Sequence, residues 1–222
     1  MLSSGLDSVV AFKKEHDEHG VALAITFDYG QRAASKEIEM ARKICARYHI
    51  RHEVIELPWL KQITGTALVS RQAEVPEPTE AELDEIKGRA LETAHLVWVP
   101  NRNGAFINIA AAYGDAMGLS RIVCGFNAEE GATFPDNTPA YVDAVNKSLA
   151  LSCEKKVQVV APVIDLNKEE IIREGIRIEA PLDLSWSCYF AGQQPCGKCE
   201  SCMRRARAFK RAGVPDPSLG GV

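Results

Sequence analysis

Residues 21–27, Val-Ala-Leu-Ala-Ile-Thr-Phe, are nearly all apolar. A strand with one wet face alternates apolar and polar positions, whereas a continuous apolar run marks a strand covered on both faces, as in parallel sheets. The flanking segments agree. Residues 7–19 open with an apolar turn and continue as a charged, helix-competent stretch. Residues 35–48 place Ile38, Ala41, Ile44, Cys45 and Tyr48 on one stripe at helical spacing. A short strand is expected over residues 52–57. Alternating helices and strands of this kind specify an α/β fold, a mainly parallel sheet with helices on both faces.

The pattern continues down the chain. Asn103 to Gly118 reads as a buried, alanine-rich helix, and Arg121 to Gly125 as a strand ending in a tight turn. Residues 139–151 form an amphipathic helix through Tyr141, Val142, Val145 and Leu149, and a further strand lies within Lys156–Ile164. Asn167 is positioned to cap a helix that begins at Lys168. Residues 70–92 stand apart: seven carboxylates face Arg71, Lys87 and Arg89, and Pro76 and Pro78 break any helix. This is a surface excursion, either a solvated loop or a lid. From Asp183 the composition turns to cysteine, glycine and basic residues. The expected organisation is an α/β domain over residues 1–183 and a C-terminal segment over 184–222 packed on it.

With 222 residues, 46% of them hydrophobic and 25% charged, the chain can bury a full core. Its formal charge of −4 argues against a surface that tracks nucleic acid. No apolar run approaches the roughly 18 residues that span a bilayer, and the start lacks a basic-then-apolar signal pattern. The chain is therefore read as soluble and cytoplasmic, with no membrane partner. Seven cysteines, an odd number, point away from a disulfide scaffold and towards metal binding or scattered thiols.

Two motifs carry chemistry. The first is Leu2-Ser3-Ser4-Gly5-Leu6-Asp7-Ser8-Val9-Val10. Small residues let a backbone turn closely around an anion, and the following helix aims its free N–H groups and positive dipole end at the turn. Ser3, Ser4 and Ser8 add hydroxyls, and Asp7 is suited to a magnesium ion bridging phosphates. The lysine of kinase-like phosphate loops is missing. The stretch resembles the S-G-G-x-D-S pyrophosphate loop of the ATP-pyrophosphatase superfamily, with Ser4 replacing the first glycine; a serine-rich helix cap is the alternative. Such a loop normally follows a buried strand, yet only Met1 and Leu2 precede Ser3, so either the chain start is trimmed or the loop is poorly supported.

The second motif is Cys188-x₇-Cys196-Gly197-Lys198-Cys199-x₂-Cys202. Four thiolates at C-x₂-C spacing fit one tetrahedral zinc ion, a closed and hence structural site that staples the tail to the domain. An iron–sulfur cluster and a redox pair are the alternatives. Cys45, Cys124 and Cys153 are read as ordinary thiols. Next along the chain, Arg204, Arg205, Arg207, Lys210 and Arg211 load one short helix with charge, either a solvated face or an attractor of phosphate or a neighbouring subunit.

Taken together, the segments closely resemble the 7-cyano-7-deazaguanine synthase (QueC) family. The matching stretches are Ser3–Ser8, Phe27-Asp28-Tyr29-Gly30-Gln31-Arg32, Val99-Pro100-Asn101-Arg102-Asn103, Gly125-Phe126-Asn127, Phe134-Pro135-Asp136 and Leu166-Asn167-Lys168-Glu169-Glu170-Ile171. The tail adds Ser185-Trp186-Ser187-Cys188-Tyr189 and Pro195-Cys196-Gly197-Lys198-Cys199-Glu200-Ser201-Cys202. This resemblance implies an adenine nucleotide alpha hydrolase-like fold and an ATP- and Mg²⁺-dependent ligase. Such a ligase converts 7-carboxy-7-deazaguanine and ammonia into the nitrile, releasing AMP and pyrophosphate, and works as a homodimer. It implies a nucleotide site of Ser3, Ser4, Gly5, Leu6, Asp7 and Ser8, with Asp28 and Tyr29 bordering the adenine. Arg102 either meets the substrate carboxylate or a phosphate, or forms a structural ion pair. Asp136 either accepts from the amino-pyrimidine edge of the base or caps a turn. Asp7 and Lys168 are the candidates for the chemistry itself, Lys168 as a neutraliser of phosphate charge or else as a surface lysine. Two rival readings stand beside this one: a tRNA-thiolating enzyme with the same loop, its cysteines holding a cluster, and a zinc-stapled nucleotide-binding paralogue without chemistry.

Overall fold

The computed structural model describes residues 1–79, 83 and 95–219. The chain opens with α1 (Leu6–His19), β1 (Leu23–Asp28), α2 (Ala34–Arg47), β2 (Arg51–Glu56) and α3 (Pro58–Ile63). After the excursion come α4 (Arg102–Met117), β3 (Arg121–Val123), α5 (Ala128–Gly131), α6 (Pro139–Ser152) and β4 (Gln158–Val160). The last two are α7 (Lys168–Arg177) and α8 (Glu200–Ala212). β1 pairs in parallel with β2, Leu23 opposite Arg51 and Asp28 opposite Glu56; β3 pairs in parallel with β4, Ile122 opposite Val159.

The first two residues join these pairs. Leu2 N–H donates to the Ile25 carbonyl at 2.8 Å, and the Met1 amino group donates to the Val123 carbonyl at 2.8 Å. Thr26 Oγ1 donates to the Leu2 carbonyl at 2.6 Å. Met1 and Leu2 thus lie between β1 and β3, where a strand leading into the Ser3–Ser8 loop belongs. The loop is anchored on both sides by backbone hydrogen bonds, so the expectation of poor support is not met.

Side-chain alternation along the strands puts helices on both faces. Ile25 and Phe27 pack with Ile107, Ala110 and Ala111 of α4 and with Leu149 of α6, while Ala24 joins Val9 and Phe12 of α1 and Ala41 and Ile44 of α2. In β3, Ile122 faces the α4 side and Val123 the opposite cluster, where Leu6 and Val10 of α1 meet Ile171 and Ile172 of α7 and Phe209 of α8. Complete burial of side chains such as Ile107 contributes about 2–3 kcal/mol each. α4 packs closely through its small residues: a Cβ on Gly114 would stand 3.2 Å from the Leu119 carbonyl and 3.3 Å from Val157.

Element limits follow local chemistry. β1 begins at Leu23 rather than Val21 because Gly20, at φ 78°, ends α1 and residues 21–22 complete the turn. The strand expected within 156–164 is confined to Gln158–Val160; beyond it the chain turns, Ile164 N–H bonding the Ala161 carbonyl at 3.1 Å. Asn167 caps α7 as expected, in a reciprocal capping box with Glu170, worth about 1 kcal/mol. Of the expected excursion over 70–92, residues 80–82 and 84–92 lie outside the described residues. Its first part is tied down by Arg32, whose guanidinium donates to the Ser70 and Ala73 carbonyls, and by Glu200 N–H donating to the Pro76 carbonyl at 3.1 Å. Among the described residues no helix is long and apolar enough to cross a membrane.

Candidate active site and metal centre

The Ser3–Ser8 loop turns at Ser4, whose φ of 60° lies in the left-handed region that favours glycine. Ser4 is fully buried, its carbonyl accepts from Trp186 N–H at 2.8 Å, and its Oγ has no partner. The other hydroxyls brace the turn. Ser8 Oγ donates to the Gly5 carbonyl at 2.9 Å, Ser3 Oγ lies 3.2 Å from Ser8 Oγ, and Gly5 N–H reaches Ser3 Oγ at 3.3 Å. α1 starts immediately after, so its first-turn N–H groups lack intrahelical partners and face the turn. Gly125, just past β3, packs against this start so tightly that a Cβ there would sit 2.7 Å from Ser8 N and 2.8 Å from Ser8 Cα.

Lys168, the first residue of α7, reaches over the loop. Its Nζ lies 2.5 Å from Asp7 Oδ2 and 2.7 Å from Glu130 Oε1. Burial opposes the ammonium charge, but the two carboxylates outweigh it and hold Lys168 protonated well above the usual lysine range. Asp7 Oδ1 is buried without a partner. A carboxylate oxygen left over beside free helix N–H groups fits a divalent cation carrying phosphates.

A cavity of about 360 Å³ opens here, lined by the loop, by Phe27 and Tyr29 at the end of β1, and by Cys124, Gly125 and Phe126 after β3. It lies at the carboxyl ends of the strands, where open α/β sheets take ligands. Arg102, in the first turn of α4, lines it; its Nη1 donates to Tyr29 Oη at 3.2 Å and its guanidinium lies 5.7 Å from the Tyr29 ring centre. Among the described residues Arg102 has no carboxylate partner, so the structural ion pair entertained above is absent there. Burial pushes the Tyr29 hydroxyl up, against the pull of Arg102. Asp136 accepts from Asn103 Nδ2 on Oδ2 and from Asn137 Nδ2 on Oδ1, both at 2.9 Å, and burial raises its carboxyl above the usual range. Asp28 does not line the cavity; its Oδ1 accepts from Gly30 N–H at 2.9 Å, closing its own turn.

Some residues of this cavity carried no signal in the sequence. Glu130 meets Lys168 across 38 positions; Gly125, by contrast, stands in one of the matching stretches, and only its close packing against Ser8 is new. Glu37, Glu129 and Glu200 also line the cavity. The Glu37 spacing from Gln31, six positions across a turn into α2, becomes informative only once Gln31 Nε2 is seen donating to it at 2.8 Å.

The four cysteines converge. Cys188, Cys196, Cys199 and Cys202 place their sulfurs within 4.8 Å of one another. Cys196 Sγ and Cys202 Sγ are 3.9 Å apart, close to the separation of about 3.8 Å that Zn–S bonds of about 2.3 Å set in a tetrahedron. Phe190 and Cys196 N–H groups donate to Cys188 Sγ at 3.4 Å, and Cys199 N–H donates to Cys196 Sγ at 3.3 Å. Such donors favour thiolates, and a set of four sulfurs, buried except at the half-buried Cys196, suits a soft or borderline divalent metal. Trp186, Ala33, Met40 and Val75 pack around the cluster.

The basic helix is not a free cationic face. Arg205 is 6% exposed and forks onto Asp216 at 2.6 and 2.8 Å while also bonding Ser185 Oγ. Arg204 bonds Glu200 and Glu129, and Arg207 also reaches Glu129. These arginines hold α8 to the wall of the cavity, an arrangement that charge counting could not separate from a solvated stripe.

A family model described as queuosine biosynthesis protein QueC matches residues 1–213. The chain is 47% identical over 221 residues to the 7-cyano-7-deazaguanine synthase of Methanosarcina mazei, covering 99% of this chain and 96% of that one. It is 50% identical over 214 residues to the 7-cyano-7-deazaguanine synthase of Pelotomaculum thermopropionicum, covering 96% of each. A further relative of the same name, from Carboxydothermus hydrogenoformans, is 50% identical over 209 residues. With this fold, this loop and this cysteine cluster, the chain belongs to the QueC family.

Proposed function

We propose that this protein is an ATP-dependent carbon–nitrogen ligase that turns 7-carboxy-7-deazaguanine and ammonia into 7-cyano-7-deazaguanine, a precursor step in queuosine or archaeosine synthesis. The observation that carries the reading is one cavity that joins a phosphate loop to an arginine with no carboxylate partner among the described residues. A carboxylate is a poor electrophile because oxide cannot leave; adenylation replaces oxide with AMP. The loop N–H groups, Asp7 and Lys168 are suited to hold the triphosphate and its Mg²⁺, the ion supplying charge neutralisation as pyrophosphate departs. Arg102 is suited to fork onto the substrate carboxylate and turn it towards the α-phosphate. Asp136 and Tyr29 are suited to meet the polar edge and the ring face of a flat heterocycle, and Asp28 closes the turn that carries Tyr29.

Zinc at Cys188, Cys196, Cys199 and Cys202 is the structural part of the proposal, fixing residues 184–222 against the nucleotide-binding residues 1–183. The family resemblance adds a homodimer in the cytoplasm. The test is Asp7→Ala. It should abolish substrate-dependent pyrophosphate release while circular dichroism and zinc content stay unchanged; unaltered turnover would overturn the assignment of the loop.

A further inference from the structure

We propose that Glu37 is the base that takes the protons from nitrogen as the amide and then the nitrile form, an inference that rests on the reaction argued above. Glu37 stands in the first turn of α2 and lines the cavity. Its Oε2 accepts from Gln31 Nε2 at 2.8 Å. Gln31 is itself fixed, donating to the Phe27 carbonyl at 2.9 Å and accepting from Tyr29 N–H at 2.9 Å. Among the described residues Glu37 Oε1 has no hydrogen-bond partner, and Glu37 lines the cavity.

The other cavity carboxylates are engaged. Asp7 and Glu130 share Lys168, Asp136 takes two asparagine amides, and Glu129 and Glu200 are bound by arginines. Among the described carboxylates lining the cavity, Glu37 alone pairs with a single neutral donor. The charged and titratable groups facing it are Asp28 and Tyr29 at the end of β1 and Arg102 at the start of α4. Burial pushes its carboxyl up to about 7, with Gln31 and Arg102 pulling the other way and Asp28 adding to the rise. A base poised there is half-available at neutral pH and returns its proton readily to solvent.

The proton count requires such a group. The ammonia lone pair attacks the acyl carbon of the adenylate; the new N–H₃⁺ gives one proton to Glu37, and the carbon–oxygen bond to AMP breaks with its electron pair. The amide oxygen then attacks the α-phosphorus of a second ATP and expels pyrophosphate. The resulting iminium gives one N–H proton to Glu37. Loss of the last N–H proton forms the third carbon–nitrogen bond as AMP leaves. Three protons depart from one nitrogen, each passing through Glu37 to solvent before the next.

Glu37→Gln and Glu37→Asp test this in the full protein, supplied with 7-carboxy-7-deazaguanine, ATP, Mg²⁺ and ammonium chloride. The readouts are substrate-dependent exchange of pyrophosphate into ATP, which reports adenylation alone, and amide plus nitrile formation. Glu37→Gln should keep exchange within about threefold and lose 10²-fold or more in product formation, the usual contribution of a general base. Glu37→Asp should restore part of the rate, with the ascending limb of its kcat–pH profile displaced from that of the wild type. Three results would overturn the proposal: an unchanged product rate, a loss confined to KM for the carboxylate, which would make Glu37 a recognition residue, or equal loss of exchange and product. Absence of exchange in the wild-type protein would instead sink the reaction itself.

Discussion

Lys168 Nζ lies 2.5 Å from Asp7 Oδ2, an ion pair that ties the start of α7 to the start of α1 across 161 positions. With the partly exposed Glu130 on its other side, the ammonium offsets two carboxylates at the place where a triphosphate would add more negative charge. Lys168→Met leaves those carboxylates without a counter-charge. Removing one partner of a buried pair typically costs about 3–5 kcal/mol; the pair is 13–15% exposed, so the lower end is expected. Chemical denaturation reads the stability, and bound ATP should recover less of it than in the wild type.

Ser4 holds a left-handed backbone, φ 60°, and an unpartnered buried hydroxyl. Ser4→Gly removes both penalties and should stabilise the protein by about 1 kcal/mol, net of the extra chain entropy of glycine. A denaturant midpoint that falls would show that the hydroxyl has a role the turn geometry does not reveal.

Gly125→Ala acts in the opposite sense. Its Cβ would stand 2.7 Å from Ser8 N, and backbone rather than a flexible side chain must yield. A cost of about 1–3 kcal/mol is expected, together with at least tenfold weaker ATP binding by calorimetry, because the displaced atoms belong to the first turn of α1.

Glu37 gives stability a pH signature. Burial pushes its folded-state pKa up to about 7, above the ordinary carboxylate value of 4.5 that it has in the unfolded chain. The native state therefore holds more protons between these values, and stability falls as pH rises through that window. The contribution is complete below about 4.5 and lost above about 7. Glu37→Gln should flatten this part of the stability–pH curve; an unchanged slope would place the carboxyl in a wetter environment than the structure gives it.

Metal removal should act at a distance. The cysteine cluster packs against Trp186, whose N–H holds the Ser4 carbonyl, and Cys199 and Cys202 flank the start of α8. A strong thiol-competing chelator should release one zinc per chain, lower the melting temperature and weaken ATP binding. Loss of metal with nucleotide affinity intact would uncouple the two centres.

Much of this architecture was legible because it rests on local chemistry. The apolar run ending at Phe27 betrays a strand covered on both faces, Asn167 and Glu170 spell out a helix start, and the C-x₂-C spacing brings sulfurs together wherever the chain goes. Contacts that depend on folding were not legible. Glu130 and Asp7 meet through Lys168 only because α5 and α7 flank the end of β3. The arginines of α8 look like a cationic stripe until Asp216, Glu129 and Glu200 are seen to neutralise them. Asp28 reads as a ligand-facing residue at a strand end, yet its carboxylate is taken by Gly30 N–H, an Asx-type turn that spacing alone does not reveal.

The most direct measurement is mass spectrometry of the deazapurine after incubating the zinc-loaded protein with 7-carboxy-7-deazaguanine, ammonium, Mg²⁺ and ATP, with AMP counted alongside. The account predicts the nitrile as product, with two AMP and two pyrophosphate formed for each nitrile and none without the carboxylate. An unchanged deazapurine with no AMP, from a protein that still binds ATP, would contradict it.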